Sequence, residues 1–142
     1  MNNSSKEIQV TIRSQLSELV KMEHLSRKVA RTMRLNDDQK DNLSIAVTEA
    51  VGNAIVHGNK NNPHKQVDIH FKITDDQVTV SVSDQGKGFD PDRIADPLNP
   101  ENVMKESGRG IFILKMLMDD VTFQFSSKGT ILTFTLKKKD TK

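Results

Sequence analysis

The sequence predicts an α+β two-layer sandwich, a mixed, mostly antiparallel sheet with helices covering one face. Three observations predict it. Several short runs alternate apolar and polar residues with a period of two. Two longer stretches repeat apolar residues at helical spacing. Turn residues separate these runs, with no internal repeat or low-complexity linker, so the 142 residues are expected to form one domain.

The elements follow in order. Ile8, Val10 and Ile12 alternate with polar residues and predict a half-buried strand. Leu16, Leu19, Met22, Leu25, Val29 and Met33 predict a helix from about 16 to 34. Asn36 reads as an N-cap, with Asp37 and Asp38 where a helix dipole favours acids. The second helix should run to about His57, where Gly58 stops it. Val67, Ile69, Phe71 and Ile73, then Val78, Val80 and Val82, predict an antiparallel hairpin around Thr74–Gln77. Residues 84–108 are dense in glycine and proline and lack periodicity, which predicts a long functional loop. A helix over 109–118 and strands near 121–126 and 130–136, joined by Ser127-Lys128-Gly129, complete the set.

Composition narrows the function. A hydrophobic fraction of 35% and a charged fraction of 28% are ordinary for a globular protein. A net charge of +2 is too mild to argue for nucleic acid, and Lys137-Lys138-Lys139 reads as a solvated tail. Trp and Tyr are absent, which removes most of an aromatic platform for single strands. Without cysteine there is neither a disulfide framework nor a thiolate metal site. No apolar stretch approaches the roughly 18 residues of a membrane span, and the N-terminus lacks a signal-peptide core. A cytoplasmic setting without direct membrane contact is therefore expected.

Four groups of residues carry candidate chemistry. Glu49, Asn53 and His57 repeat at i, i+4, i+8 beside the core stripe Leu43, Val47, Ala50 and Ala54. A carboxylate and a carboxamide held there can serve an activated water or a hard cation. Mg²⁺ takes oxygen ligands and keeps several waters, so one protein oxygen with substrate phosphates can hold it. Asp84-Gln85-Gly86-Lys87-Gly88-Phe89 follows a strand end, where an acid can accept from an amino group such as that of adenine. Gly86 and Gly88 let backbone pass close to a flat ligand. Ser107-Gly108-Arg109-Gly110 opens a helix, where free N–H groups favour phosphate, with Lys105 and Arg109 adding positive charge. Gly129-Thr130 turns into the last strand and offers a hydroxyl. Taken singly, each also fits an ordinary feature: exposed helix residues, a plain turn, a helix entry.

In this order and spacing, over about 36–136, the four groups resemble the GHKL ATPase superfamily. Glu49 and Asn53 match its N box, Asp84 to Phe89 its first glycine box, Gly108-Arg109-Gly110 the second, and Gly129-Thr130 the last. Within it, Ala46 to Gly58 and Gly110 to Asp119 look most like the bacterial anti-sigma factor serine kinases. The chain is expected to be one ATP-binding domain over 1–142: a strand and helix at 8–34, a nucleotide-binding core at 36–136 and a lid at 91–107. It carries no helical hairpin presenting a phosphoacceptor histidine, and His24 reads as a surface residue.

The resemblance implies the roles. Glu49 would be the general base, Asn53 a Mg²⁺ ligand, and Asp84 the reader of the adenine amine, supported by Thr130. Gly86, Gly88, Gly108 and Gly110 would admit ATP, with Lys105 and Arg109 near its phosphates. The partners implied are a small anti-sigma-antagonist protein, phosphorylated on serine, and a sigma factor. A homodimer is expected through the first strand and first helix, since Ile8, Val10 and Ile12 lie on a strand whose edge would otherwise be unpaired. In one respect the chain departs from some family members: Glu106 stands where they carry an arginine before the second box. That substitution keeps two alternatives open, an ATP-dependent partner-switching module without catalysis and an orphan histidine kinase catalytic domain.

Overall fold

The computed structural model describes residues 5–86 and 110–139. The N-terminal strand is β1 (Lys6–Arg13), with Ile12 buried and Ile8 and Val10 half-buried on the same side. A short 3₁₀ turn (Leu16–Glu18) leads into α1 (Leu19–Thr32). The helix thus begins three residues later than its apolar periodicity suggested, and Leu16 is 52% exposed. Leu16 lies where the chain is still turning off the sheet, so its spacing matches the stripe but its direction does not.

α1 buries Met22, Val29 and Ala30 and ends in a Schellman arrangement. The Leu35 N–H donates to the Ala30 carbonyl at 3.0 Å and the Arg34 N–H to that of Arg31 at 3.0 Å. Arg34 takes the left-handed conformation (φ 58°) that this motif requires. His24 is exposed on this helix.

Asn36 caps α2 (Asp37–Asn53) as its chemistry predicts: its side-chain oxygen accepts from the Gln39 N–H at 2.8 Å. α2 packs against both α1 and the later helix, which explains why its buried set (Leu43, Ala46, Val47, Ala50, Val51) is so broad. The helix then widens into a π turn, Ala54–Gly58, with the Asn59 N–H donating to the Ala54 carbonyl at 2.8 Å.

β2 (Gln66–Ile73) and β3 (Gln77–Ser83) form the expected hairpin, with Ile69 opposite Val82 and Phe71 opposite Val80. α3 (Gly110–Leu117) buries Ile111 and Leu114. β4 (Asp120–Ser126) and β5 (Gly129–Lys137) form a second hairpin. The sheet order is β1-β2-β3-β5-β4, and every pairing among the described residues is antiparallel. The α+β sandwich with a mostly antiparallel sheet is as expected, and no parallel pair occurs among the described residues. The cause is that β4 takes the edge, so its hairpin partner β5 returns antiparallel beside β3.

Inward positions of the central strands (Val67, Ile69, Phe71, Val78, Val80, Leu132, Phe134) form the core with the helices. The outward positions are polar apart from Ile131, with Thr79 bonded to Thr135 and Ser81 to Thr133. One face is thereby left for helices and the other for water. The exits of α2 and β3, the entry of β5 and the start of α3 meet at one end of the sandwich.

Candidate functional site

The first group of site residues comes from α2. Glu49 and Asn53, one turn apart, line a cavity of about 320 Å³ with Gly52, Val56, His57, Gly110 and Ile113. Both are partly buried, because the neighbouring stripe Val47, Ala50 and Ala54 points straight into the core. The Asn53 Nδ2 is buried and has no hydrogen-bond partner among the described residues. Leaving such a donor unmade costs about 1–3 kcal/mol, so a well-packed structure keeps one mainly where something else is to be bound. The carboxylate of Glu49 is likewise free of ion pairs among the described residues.

Gly110 closes the cavity from α3. A Cβ placed there would stand 2.8 Å from Glu49 Oε2 and 3.0 Å from Asn53 Nδ2. Only glycine allows the start of α3 to approach the two α2 side chains this closely. Positive dipole, carboxylate and carboxamide thus share one small space, a setting suited to phosphate and a cation together.

The second group surrounds Asp84 at the exit of β3. Its Oδ1 accepts from the Gly86 N–H at 2.9 Å and from the Thr130 N–H at 3.1 Å. Its own N–H donates to the Thr130 carbonyl at 3.0 Å. Thr130 therefore contacts Asp84 through its backbone. Three glycines pack around the aspartate. A Cβ on Gly58 would collide with its carboxylate, one on Gly129 with its carbonyl oxygen, and one on Gly86 with the Gly58 carbonyl. Gly129 also has φ +140°, a conformation that side chains rarely adopt.

The structure brings Glu49, Asn53 and Gly110 into one cavity and Asp84, Gly86 and Thr130 into a second cluster. Adjacent residues join the two: His57 lines the cavity, and Gly58 lies against the Asp84 carboxylate. Gly88, Lys105, Gly108 and Arg109, with Phe89, Glu106 and the lid at 91–107, lie outside the described residues.

Two glycines at the site were given no contact of their own by the sequence reading. Gly58 reads as a helix stop, although its place directly after His57 on the site-bearing helix was an available signal. Gly129 was matched only as the turn residue of the last motif, before Thr130. Among the described residues no cluster of three His, Cys, Asp or Glu side chains is able to hold a metal alone. The orphaned Asn53 carboxamide nevertheless fits a cation held jointly with phosphate, since turning the amide over presents its oxygen at the same place.

Comparison with known proteins gives the family. Residues 12–136 match the family model described as histidine kinase-like ATPase domain. The serine-protein kinase RsbW of Staphylococcus epidermidis is 37% identical over 123 residues, covering 82% of this chain and 77% of that one. The protein of the same name from Oceanobacillus iheyensis is 32% identical over 99 residues, covering 66% of this chain and 63% of its own. Among solved structures, the mycobacterial sensor histidine kinase MprB superposes with a TM-score of 0.54 at 16% identity, over 94% of this chain and 100% of that one. The histidine kinase domain of the Erythrobacter litoralis EL346 blue-light activated kinase gives 0.55 at 15% identity, over 83% of this chain and 59% of that one. At such identities these two likenesses speak for the fold alone. The chain belongs to the histidine kinase-like ATPase domain family and, within it, stands with the serine-protein kinases RsbW.

Proposed function

We propose that this protein is an ATP-dependent protein serine kinase of the anti-sigma type. It phosphorylates a small anti-sigma-antagonist protein and, in its other state, holds a sigma factor. The observation that carries the reading is the convergence on the start of α3 of Glu49 and Asn53, a carboxylate without an ion pair and a carboxamide nitrogen without a partner among the described residues. The names of the relatives supply the class of reaction.

The chemistry needs little more than positioning. Glu49 takes the proton from the substrate serine hydroxyl as its oxygen forms a bond to the γ-phosphorus. The bond from that phosphorus to the β–γ bridging oxygen breaks, and ADP leaves with the electron pair. Asn53 would hold Mg²⁺, which when bound neutralises charge on the phosphates. Gly110, with Gly108, Lys105 and Arg109, would receive the phosphates. Asp84 would accept from the adenine amine through its Oδ2, because Oδ1 is already engaged by two N–H groups. Gly86 and Gly88 would admit the base.

Labelling with γ-³²P-ATP and the cognate antagonist tests the proposal. Wild type should transfer phosphate to serine, and Glu49→Ala should not. Wild type that labels no better than the variant would overturn it. Glu106 favours a second reading, a module that binds ATP and switches partners without transfer. Partner affinity that depends on nucleotide, with no phosphoserine on any partner by mass spectrometry, would establish that reading instead.

The same proposal includes a homodimer. β1 is an edge strand, and Leu16 and Val20 beside it are 52% and 58% exposed. Sedimentation at micromolar concentration should show the dimer. A cytoplasmic location is part of the reading, and no described helix is long and apolar enough to cross a membrane.

A further inference from the structure

Asn59 follows the π turn, is 1% exposed, and precedes two left-handed residues, Lys60 and Asn61 (φ 55° and 58°). Its carboxamide is engaged at both ends. Nδ2 donates to Ser14 Oγ at 2.6 Å and to the Gln66 carbonyl at 2.9 Å. Oδ1 accepts from the Gln85 N–H at 2.7 Å. Around it, Ser14 Oγ donates to the Lys65 carbonyl at 3.0 Å, and Gln85 Oε1 accepts from the Gln66 N–H at 2.7 Å. One buried side chain therefore ties the segment after β1, the entry of β2 and the residue that follows Asp84.

We infer that Asn59 is a positioning residue for recognition of the purine base. Gln85 lies between Asp84 and Gly86, and the Gly86 N–H is one of the two donors on Asp84 Oδ1. Anchoring the Gln85 N–H fixes the Asp84–Gln85 peptide plane, and so the backbone from which the Asp84 side chain springs and the direction in which its second carboxylate oxygen points. Gln85 N–H has no strand partner, because pairing of β2 with β3 ends at Asp68 and Ser83. The Asn59 oxygen takes the place of the missing ladder bond. A buried amide with all its bonds satisfied holds that geometry more rigidly than water would. This inference rests on the reading of Asp84 as the group that meets the adenine amine.

The test compares ATP with inosine triphosphate, which lacks that amine, by calorimetry with magnesium on the full chain. In Asn59→Ala the dissociation constant for ATP should rise about tenfold, while that for inosine triphosphate changes by less than about twofold. Asn59→Asp keeps the acceptor for the Gln85 N–H and should restore most of the preference for ATP. A merely structural Asn59 would lower both affinities together, or lower only the melting temperature, and either result overturns the inference. Should Asn59→Ala not fold, Asn59→Asp and Ser14→Ala decide it: retained preference in both supports the inference, and loss in Asn59→Asp overturns it. Asp84→Asn separates the two levels. If it leaves the ATP preference intact, the reading of Asp84 has failed. If it abolishes the preference but Asn59→Ala does not, only the inference about Asn59 has failed.

Discussion

The Thr130 N–H donates to Asp84 Oδ1 at 3.1 Å while the Asp84 N–H donates to the Thr130 carbonyl at 3.0 Å. This reciprocal pair continues the β3–β5 ladder one step past Ser83 and Ile131, the last paired residues. The carboxylate is thus fixed at the mouth of the sheet by backbone, which needs no particular side chain at 130. With Oδ1 saturated, function is left to Oδ2.

Replacing Asp84 by Asn should separate binding from folding. The amide oxygen can still accept from Gly86 and Thr130, so the fold is kept and the melting temperature should move by no more than about 3 °C. The NH₂ then faces a ligand amine, donor against donor. Loss of a hydrogen bond to a charged group, about 1.5–3 kcal/mol, lowers ATP affinity roughly 10- to 100-fold. Calorimetry and a thermal melt on the same sample check both halves. Unchanged affinity would remove Asp84 from the site.

Asn53→Ala should move stability and function in opposite directions. Removing a buried donor that lacks a partner among the described residues relieves a cost of about 1–3 kcal/mol, partly offset by the lost packing, so stability should hold or rise. Magnesium-dependent ATP binding should fall at least tenfold. Removing magnesium with a chelator should reduce wild-type affinity and leave that of Asn53→Ala nearly unaltered. A variant that is destabilised and still binds in a magnesium-dependent way would show that Asn53 serves the fold instead.

What the sequence disclosed depends on how local each cause is. The Asn36 cap was legible because its partner Gln39 is three residues away. The core stripe of α2 and the strand alternation were legible because burial on one side imposes a period. Glu49, Asn53 and Asp84 were legible through spacing and position at element ends. Asn59 was not, because its partners Ser14, Gln66 and Gln85 lie 45, 7 and 26 residues away. Gly58 hid behind a commoner role, since a glycine after a helix ordinarily only ends it. Leu16 misled for the converse reason: its spacing is helical, but the direction of the turn is set by β1. The antiparallel β3–β5 pairing depends on which strand of a hairpin takes the edge, and local pattern does not encode that choice.

Two helix ends give stability tests independent of function. Arg34 holds a left-handed conformation that costs a side-chain-bearing residue about 1–2 kcal/mol, so Arg34→Gly should stabilise by about 0.5–1 kcal/mol after the entropic loss of glycine. Asn36→Ala removes the cap of α2 and should destabilise by about 1 kcal/mol. Urea denaturation with unchanged m-values checks both. Arg34→Gly that destabilises would mean the Arg34 side chain makes a contribution larger than its backbone cost.

Two glycines near the cavity should respond oppositely to the same methyl group. Gly52 sits inside α2, and a Cβ there would meet nothing within 4 Å among the described residues. Gly52→Ala should therefore stabilise by about 0.5–1 kcal/mol through helix propensity. At Gly58 the added Cβ would run into the Asp84 carboxylate, with no flexible chain end able to yield, since Oδ1 is held by two N–H groups. Gly58→Ala should destabilise by about 1–3 kcal/mol from overpacking and turn the carboxylate away from its ligand, so ATP affinity falls with stability. Gly52 lines the cavity, so an ATP affinity that survives Gly52→Ala means the nucleotide leaves that wall free. Equal effects of the two substitutions on ATP binding would show that the Gly58–Asp84 contact does not orient the carboxylate.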